Sequence, residues 1–540
     1  MDNTLRRDER ILIIDEQPLS QSFLRYALEQ LNYQNITVAE KAPLALNLLR
    51  TNSYDLVICS YNQQQGKDGY QLYQEMKQLQ LQKLSCGVIF ISAETDPSLV
   101  HSVIELQPDE FLAKPFVIRD VQLRIERVLK RKAQLRNLYQ ALDDKAHQRA
   151  LQEIEQLLAD SQQQKHVGLL LKIKGDVLLD MADMAQALPF FKSMLTIQPL
   201  SWVRIGLVKC YLQLGQDAEA FKELQLLLER SDGRLFALEG LADLAAKQQQ
   251  FQQAQQHLTA ATELAPRNLL RQQKLQQLSR INHDYELQYR AARDMVKFSR
   301  YSIFEQADLY LNLARASIDF ALSSEDDEQL NRLNKQISLC LNTLQRQFAK
   351  APIAEQQAVL QARLLYLQDH KEKAQAMLSE LAEQHAIASV EDALDKAKAL
   401  HEVGLSEASK RLFQQIHQHC LQQATDPLLS TYLQQEQQER QAMRQGPREL
   451  NNSAVSLYKH GNWQEAFDAF MLARQVMPKN VGIALNLWQT LLLSPRPLCS
   501  NTKKQQLLAE CQQLLEAKPL KPDQQHRFEL LKQKFLSQLA

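Results

Sequence analysis

Asp15 and Glu16, Ser60, Ser92 and Lys114 are of the types that could together handle a phosphoryl group, and each falls where an apolar run breaks off. Two adjacent carboxylates form a hard-oxygen site suited to Mg²⁺. A lysine and a hydroxyl can flank a transferred phosphoryl group and balance its charge. "RILIID" ends in the acidic pair, "DLVIC" runs into Ser60, "GVIFISA" closes on Ser92 and Ala93, and "DEFLAKP" on Lys114 and Pro115.

Those runs, with "ITVAE" (Ile36 to Glu40), alternate with amphipathic stretches such as "PLSQSFLRYALEQL", in which Phe23, Leu24, Ala27, Leu28 and Leu31 share one face. Five β–α alternations in the first 130 residues predict a doubly wound parallel sheet of flavodoxin-like type, with five strands. In such a sheet the working groups gather at the carboxyl ends of the strands, which is where all five residues fall.

From roughly Arg10 to Leu129 the chain resembles a two-component, CheY-like receiver domain. "IIDEQP" resembles that family's acidic pair, "FISAET" its signalling Ser/Thr at Ser92, and "FLAKPF" its lysine at Lys114 followed by proline. Phe111 matches the switch aromatic, and "GKDG" (Gly66 to Gly69) the loop after the third strand. The resemblance implies an Mg²⁺ site at Asp15, Glu16 and the Asn62 carbonyl, and a phospho-accepting aspartate where Ser60 stands. Serine forms no acyl phosphate and removes one carboxylate ligand, so a weak Mg²⁺ site or none is expected, and no other cofactor. Asp55 does not substitute, because it lies about 16 Å away at the strand's other end, and Asp68 belongs to the following loop. Asp15 and Glu16 could equally be polar residues of the pocket edge, and Lys114 could pair with Glu16.

The segment Val117 to Gln162 holds neither Gly nor Pro and predicts one long helix or two nearly continuous ones. Its basic cluster (Arg124, Arg127, Lys130, Arg131, Lys132, Arg136) reads as a solvated face before an acidic-partner site. Beyond it the strand signals stop and a repeat begins. Gly175, Ala187, Phe191 and Pro199 mark one unit, Ala220 the next, and Ala242, Ala254, Leu258 and Pro266 a third; Ala454, Ala466, Phe470 and Pro478 recur near the C-terminus. Alanines 187, 220 and 254 are 33 and 34 residues apart. This resembles the tetratricopeptide (TPR) repeat, a pair of antiparallel helices stacked into a solenoid. Ala374 and Ala408 keep the spacing in the middle, "ALSSEDDEQ" reads as a longer loop, and Trp488 sits where a further unit wants a small residue, so the last helices are expected to cap the stack. The expected domains are a receiver (1–130), a helical linker (131–165), TPR repeats (166–268), irregular TPR-like hairpins (269–448), and a C-terminal TPR with capping helices (449–540).

The composition narrows the function. Among 540 residues, Lys plus Arg and Asp plus Glu each number 63, which argues against bulk binding to nucleic acid or anionic membrane. Only 13 Gly and 16 Pro occur, as suits a mostly helical chain. Seven scattered cysteines without a CxxC pair read as reduced core thiols, "MDNTLRRDER" lacks a secretory core, and no run could span a bilayer. A cytoplasmic location is expected, with no DNA binding and no membrane insertion. "QQIHQHC" is no metal site, since His417 and His419, two apart, point to different sides of a helix.

The resemblance implies an atypical response regulator working as a protein–protein adaptor and not as an enzyme. Its receiver would dock on a histidine kinase, a phosphotransfer protein, another response regulator or a second copy of itself through the fourth helix, fifth strand and fifth helix. The solenoid would hold an output protein or peptide. Two alternatives stand beside it: a receiver still phosphorylated at Ser60 or a neighbour, and a regulator or phosphatase of another receiver.

Overall fold

A computed structural model of the chain describes residues 8–61, 66–93, 96–382, 387, 389–422, 426–442, 447–518 and 520–539. Five strands, β1 (Ile11–Ile14), β2 (Ile36–Ala39), β3 (Leu56–Ser60), β4 (Gly87–Ser92) and β5 (Glu110–Ala113), form one parallel sheet in the order β2-β1-β3-β4-β5. Between and after them run α1 (Pro18–Glu29), α2 (Ala42–Thr51), α3 (Gly69–Gln78), α4 (Pro97–Glu105) and α5 (Ile118–Gln134). The strands read as unbroken apolar runs because both sheet faces are covered. Leu12, Ile14, Val57, Cys59, Val88 and Phe90 pack with Leu46, Leu72, Met76 and Val103 on one side. Ile11, Ile13, Leu56, Ile58, Ile89 and Ile91 pack with Leu24, Leu28, Val121, Ile125 and Val128 on the other. The expected fold class is the observed one: this α/β sheet followed by a long all-helical region.

The segment after β5 is nearly continuous as far as Asp143, and a third helix follows after a turn. It breaks at Leu135 (φ −104°, ψ 19°) and again at Lys145 (φ 53°), giving α6 (Arg136–Asp143) and α7 (His147–Ala159). Burial decides this: Leu135, Leu138, Ala141, Ala150 and Ile154 share one core with Leu170 and Val177, which a straight helix could not fill. Much of the basic cluster is engaged at the start of β5, with Arg124 and Arg127 on Glu110 and Arg131 and Lys132 on Asp109.

The chain forms two compact units, Met1–Gln272 with Lys297–Glu305, and Gln273–Val296 with Gln306–Ala540. In the first, α8 (Val167–Asp180), α9 (Met184–Ile197), α10 (Ser201–Gln213), α11 (Asp217–Leu228), α12 (Arg234–Lys247) and α13 (Phe251–Leu264) follow one another. Their short links make neighbours antiparallel, and each helix packs on the next. Ala187, Ala220 and Ala254 are fully buried, one on each second helix of a pair. Phe191 is wedged between α8 and α10. A Cβ on Gly206 would lie 2.1 Å from its ring and one on Gly175 2.7 Å, so both positions need glycine for that approach. Phe191→Ala is expected to cost about 3–5 kcal/mol in urea unfolding of the full chain; a loss below about 1 kcal/mol would mean the neighbouring helices close over the gap.

In the second unit the segment expected as a long loop is three residues, between helices Ala307–Ser323 and Asp327–Gln347. Its acidic residues are a helix start: the Asp326 side chain accepts from the Glu328 amide (3.1 Å), and Asp327 and Glu328 occupy the first turn, where the helix dipole favours negative charge. Ala374 is buried, but Ala408 is only half-buried; the close approach falls one residue later, where Ser409 Oγ donates to the Ala397 carbonyl (2.8 Å). Ala454, Ala466 and Phe470 are buried, and Trp488 is enclosed with Phe528 and Phe535 under the last two helices (Asn501–Ala517, Pro522–Leu539). Among the described residues no helix is long and apolar enough to cross a membrane.

Candidate functional site

At the carboxyl edge of the sheet, parallel register brings the strand ends together. Ser60 is paired with Ile91, next to Ser92, and Ser92 with Ala113, next to Lys114. Asp15 (1 % exposed) follows β1, Ser60 is 4 % exposed, and Ser92 is buried. Asp15 already has donors on both oxygens: the Gln17 amide on Oδ1 (2.8 Å) and Ser20 Oγ on Oδ2 (2.6 Å). Lys114 Nζ stands 3.3 Å from Ser20 Oγ and 3.7 Å from Asp15 Oδ2, which makes Asp15 a charge partner of this lysine. Glu16 is half-buried beside it, and Phe111 is half-buried against the α2–α4 side of the core. The sequence-predicted pocket residues therefore do converge, apart from Asn62, which lies outside the described residues.

The chain leaving Ser60 is tightly placed. Tyr61 N donates to the Ile91 carbonyl (2.8 Å), and Gly69 N to the Tyr61 carbonyl (3.0 Å). A Cβ at Gly69 would lie 2.2 Å from the Ser60 carbonyl oxygen, so this return of the chain onto β3 requires glycine. Just below, burial pushes the Cys59 thiol well above its ordinary range, with Asp68 and Asp15 acting in the same direction. Cys59 is thus an inert core residue. No disulfide joins the described cysteines, and five of them are buried.

Residues 11–126 match the family described as the response regulator receiver domain. A probable chemotaxis protein CheY of Rhizobium etli is 30 % identical over 119 residues, 22 % of this chain and 91 % of that protein. The chain belongs to the response regulator receiver family. The alkaline phosphatase synthesis transcriptional regulatory protein PhoP of Bacillus subtilis is 28 % identical over 124 residues, 23 % of this chain and 50 % of PhoP, so the receiver match spans half of that relative's length. The solved receiver domain of the Francisella response regulator 1452 is 25 % identical, over 23 % of this chain and 98 % of that one, with a TM-score of 0.21. Receiver kinship supports a role in signalling and implies protein partners such as kinases.

Two features were missed in the sequence. One is a cleft of about 730 Å³ at the amino edge of the sheet, lined by Asp109, Lys132, Tyr139, Lys172 and Asp176 among others. The other is an ionic cluster inside the second unit, centred on Arg363 (1 % exposed). Its guanidinium donates to Asp395 (2.6 Å), Asp319 (2.9 Å) and both oxygens of Glu402 (2.6 and 2.9 Å). Lys398 adds a contact to Asp319 (2.8 Å), and Arg440 one to Glu436 (2.9 Å). Burial opposes ionisation of Asp319, yet Lys398 and Arg363 hold its carboxyl below the usual range. Burial likewise works against Glu436, whose carboxyl Lys398 and Arg440 bring down to about 2. The adjoining cavity, about 30 Å³, has room for little more than a water, so the cluster is structural. Its signal was available in "VEDALDKAKALHE", where charges alternate with alanines and leave no purely polar face; residues 393–402 are all buried. His417 is exposed and His419 and Cys420 half-buried, and no metal-binding group of three or more ligands occurs among the described residues.

Proposed function

We propose that this chain is an atypical response regulator that works as a protein–protein adaptor, with a receiver domain that is not phosphorylated at the usual position. The observation carrying this reading is Ser60, buried at the end of β3 beside Ser92 and one strand from Asp15, in the place where the family's acceptor carboxylate would stand. A hydroxyl there yields no acyl phosphate. The donor set also fits Mg²⁺ poorly: Mg²⁺ takes oxygen ligands in near-ideal octahedral geometry, whereas here a third carboxylate is missing and both Asp15 oxygens already accept hydrogen bonds. Lys114 serves to balance the Asp15 charge and donates a hydrogen bond to Ser20.

The helical region acts as a TPR-type array, a reading supported by the 33- and 34-residue spacing of its buried alanines and by Phe191 wedged between Gly175 and Gly206. It holds the output protein or peptide. The receiver docks through α4, β5 and α5, a face that leaves Ile104, Val117 and Leu123 more than half exposed (53, 62 and 57 %), onto a histidine kinase, a phosphotransfer protein, another receiver or a second copy. We assign the chain no catalytic activity and a cytoplasmic location. Incubation with acetyl phosphate and Mg²⁺ tests the central claim. No stable incorporation is expected; a stoichiometric phosphoryl adduct would overturn the reading in favour of a phosphorylation-switched regulator.

A further inference from the structure

The helix that starts at Gly69 is capped in a way that does two jobs. In its capping box, the Asp68 side chain accepts from the Gln71 amide (2.9 Å) and the Gln71 side chain from the Asp68 amide (3.1 Å). Each side chain also has a second, distant partner in the same compact unit. The other Asp68 oxygen, Oδ2, accepts from Arg267 Nη2 (2.5 Å), and Gln71 Nε2 donates to the carbonyls of Phe298 and Arg300 (2.9 Å each). Arg267 is 4 % exposed, and its other terminal nitrogen donates to the Tyr61 hydroxyl (2.6 Å). Its guanidinium lies over the ring of Tyr70 at 4.3 Å, with Tyr61 and Phe298 each at 5.6 Å, a cage for a cation. On α4, Glu105 Oε1 accepts from both Asn268 Nδ2 (2.6 Å) and Arg271 Nη2 (2.7 Å). Burial disfavours the Arg267 charge, but Asp68 and the Tyr61 hydroxyl more than restore it.

What these groups hold is specific. Tyr61 is the residue after Ser60, and its amide is bonded to β4 one residue before Ser92. The two strands that border the pocket are followed in the chain by the two helices gripped from the helical region, α3 and α4. We propose that Arg267, with Asn268, Arg271 and the segment Lys297–Glu305, forms a latch through which the receiver pocket and the helical array are coupled. A change at Ser60 that moves Tyr61 loosens the arginine, and release of the arginine frees the chain that carries Tyr61. By linkage the two effects are reciprocal. The latch takes hold of α4 at Glu105, while Ile104, Val117 and Leu123 on the α4–β5–α5 face stay exposed.

Amide hydrogen exchange on the full chain tests this. In Arg267→Ala, exchange in 69–78 and 297–305 should rise at least tenfold, and the pocket amides of Tyr61 and Lys114 should exchange at least threefold faster. A rise confined to 265–272 and 297–305, with the pocket amides at their original rates, would reduce the contact to static packing and overturn the coupling. Tyr61→Phe is the second arm, chosen because it removes one hydroxyl and leaves the fold intact. It should raise exchange in 297–305 at least twofold, and unchanged rates there overturn the latch whatever the first variant does.

Discussion

Arg363→Met should lower the stability of the second compact unit by about 3–5 kcal/mol at pH 7, because removing one partner of a buried ionic cluster leaves the others uncompensated. Methionine keeps much of the volume, so the loss reports charge and not a cavity. Asp319, Asp395 and Glu402 would remain buried with the group that bridges all three gone. The pH dependence is weaker in the variant than in the native chain. In the native cluster the Asp319 and Glu436 carboxyls are depressed, Glu436 to about 2, against about 4 in the unfolded chain. Their contribution is therefore fully present above about pH 4–5 and is lost as pH falls towards 2. In the variant Asp319 keeps Lys398 but loses the second cation that holds its carboxyl down, so less stability is lost on acidification. Urea unfolding followed by circular dichroism at pH 7 and pH 4 should show the gap between the two proteins narrowing at the lower pH. A variant within 1 kcal/mol of the native chain at pH 7 would falsify the structural role given to Arg363.

Ser60→Asp should raise Mg²⁺ affinity at least tenfold, equivalent to about 1.4 kcal/mol, while Ser60→Ala should leave it unchanged. An aspartate at the end of β3 would place a third carboxylate in the buried pocket with Asp15 and Glu16, supplying a charged oxygen ligand to a cation that binds through such groups. Titration calorimetry with MgCl₂ on the three proteins measures the difference. Equal, weak affinities for the aspartate and alanine variants would mean that the pocket around position 60 has closed to metal for reasons other than the missing carboxylate.

The two predictions draw on parts of the molecule that were unequally legible. The sequence by itself determined the five strands and the pocket at their ends. Strand burial is written in continuous apolar runs, and the first polar residue after each run marks where it leaves the core. It also determined the small-residue positions of the helical pairs near Ala187, Ala220 and Ala254, since close helix approach admits few side chains. It failed where two local readings competed. The gap-free segment after β5 is an excellent helix by propensity, but burying Leu135 and Leu138 breaks it. The acidic run at Ser324 to Glu328 reads as loop until Asp326 is seen capping a helix. Tertiary structure alone decided the Arg363 cluster and the Arg267 latch. The side chains bonded to Arg363 lie 32 to 44 residues from it in the chain, and those bonded to Arg267 lie 199 to 206 residues away. An isolated arginine or aspartate in a helical sequence looks the same whether it faces water or a buried countercharge, and the fold determines which.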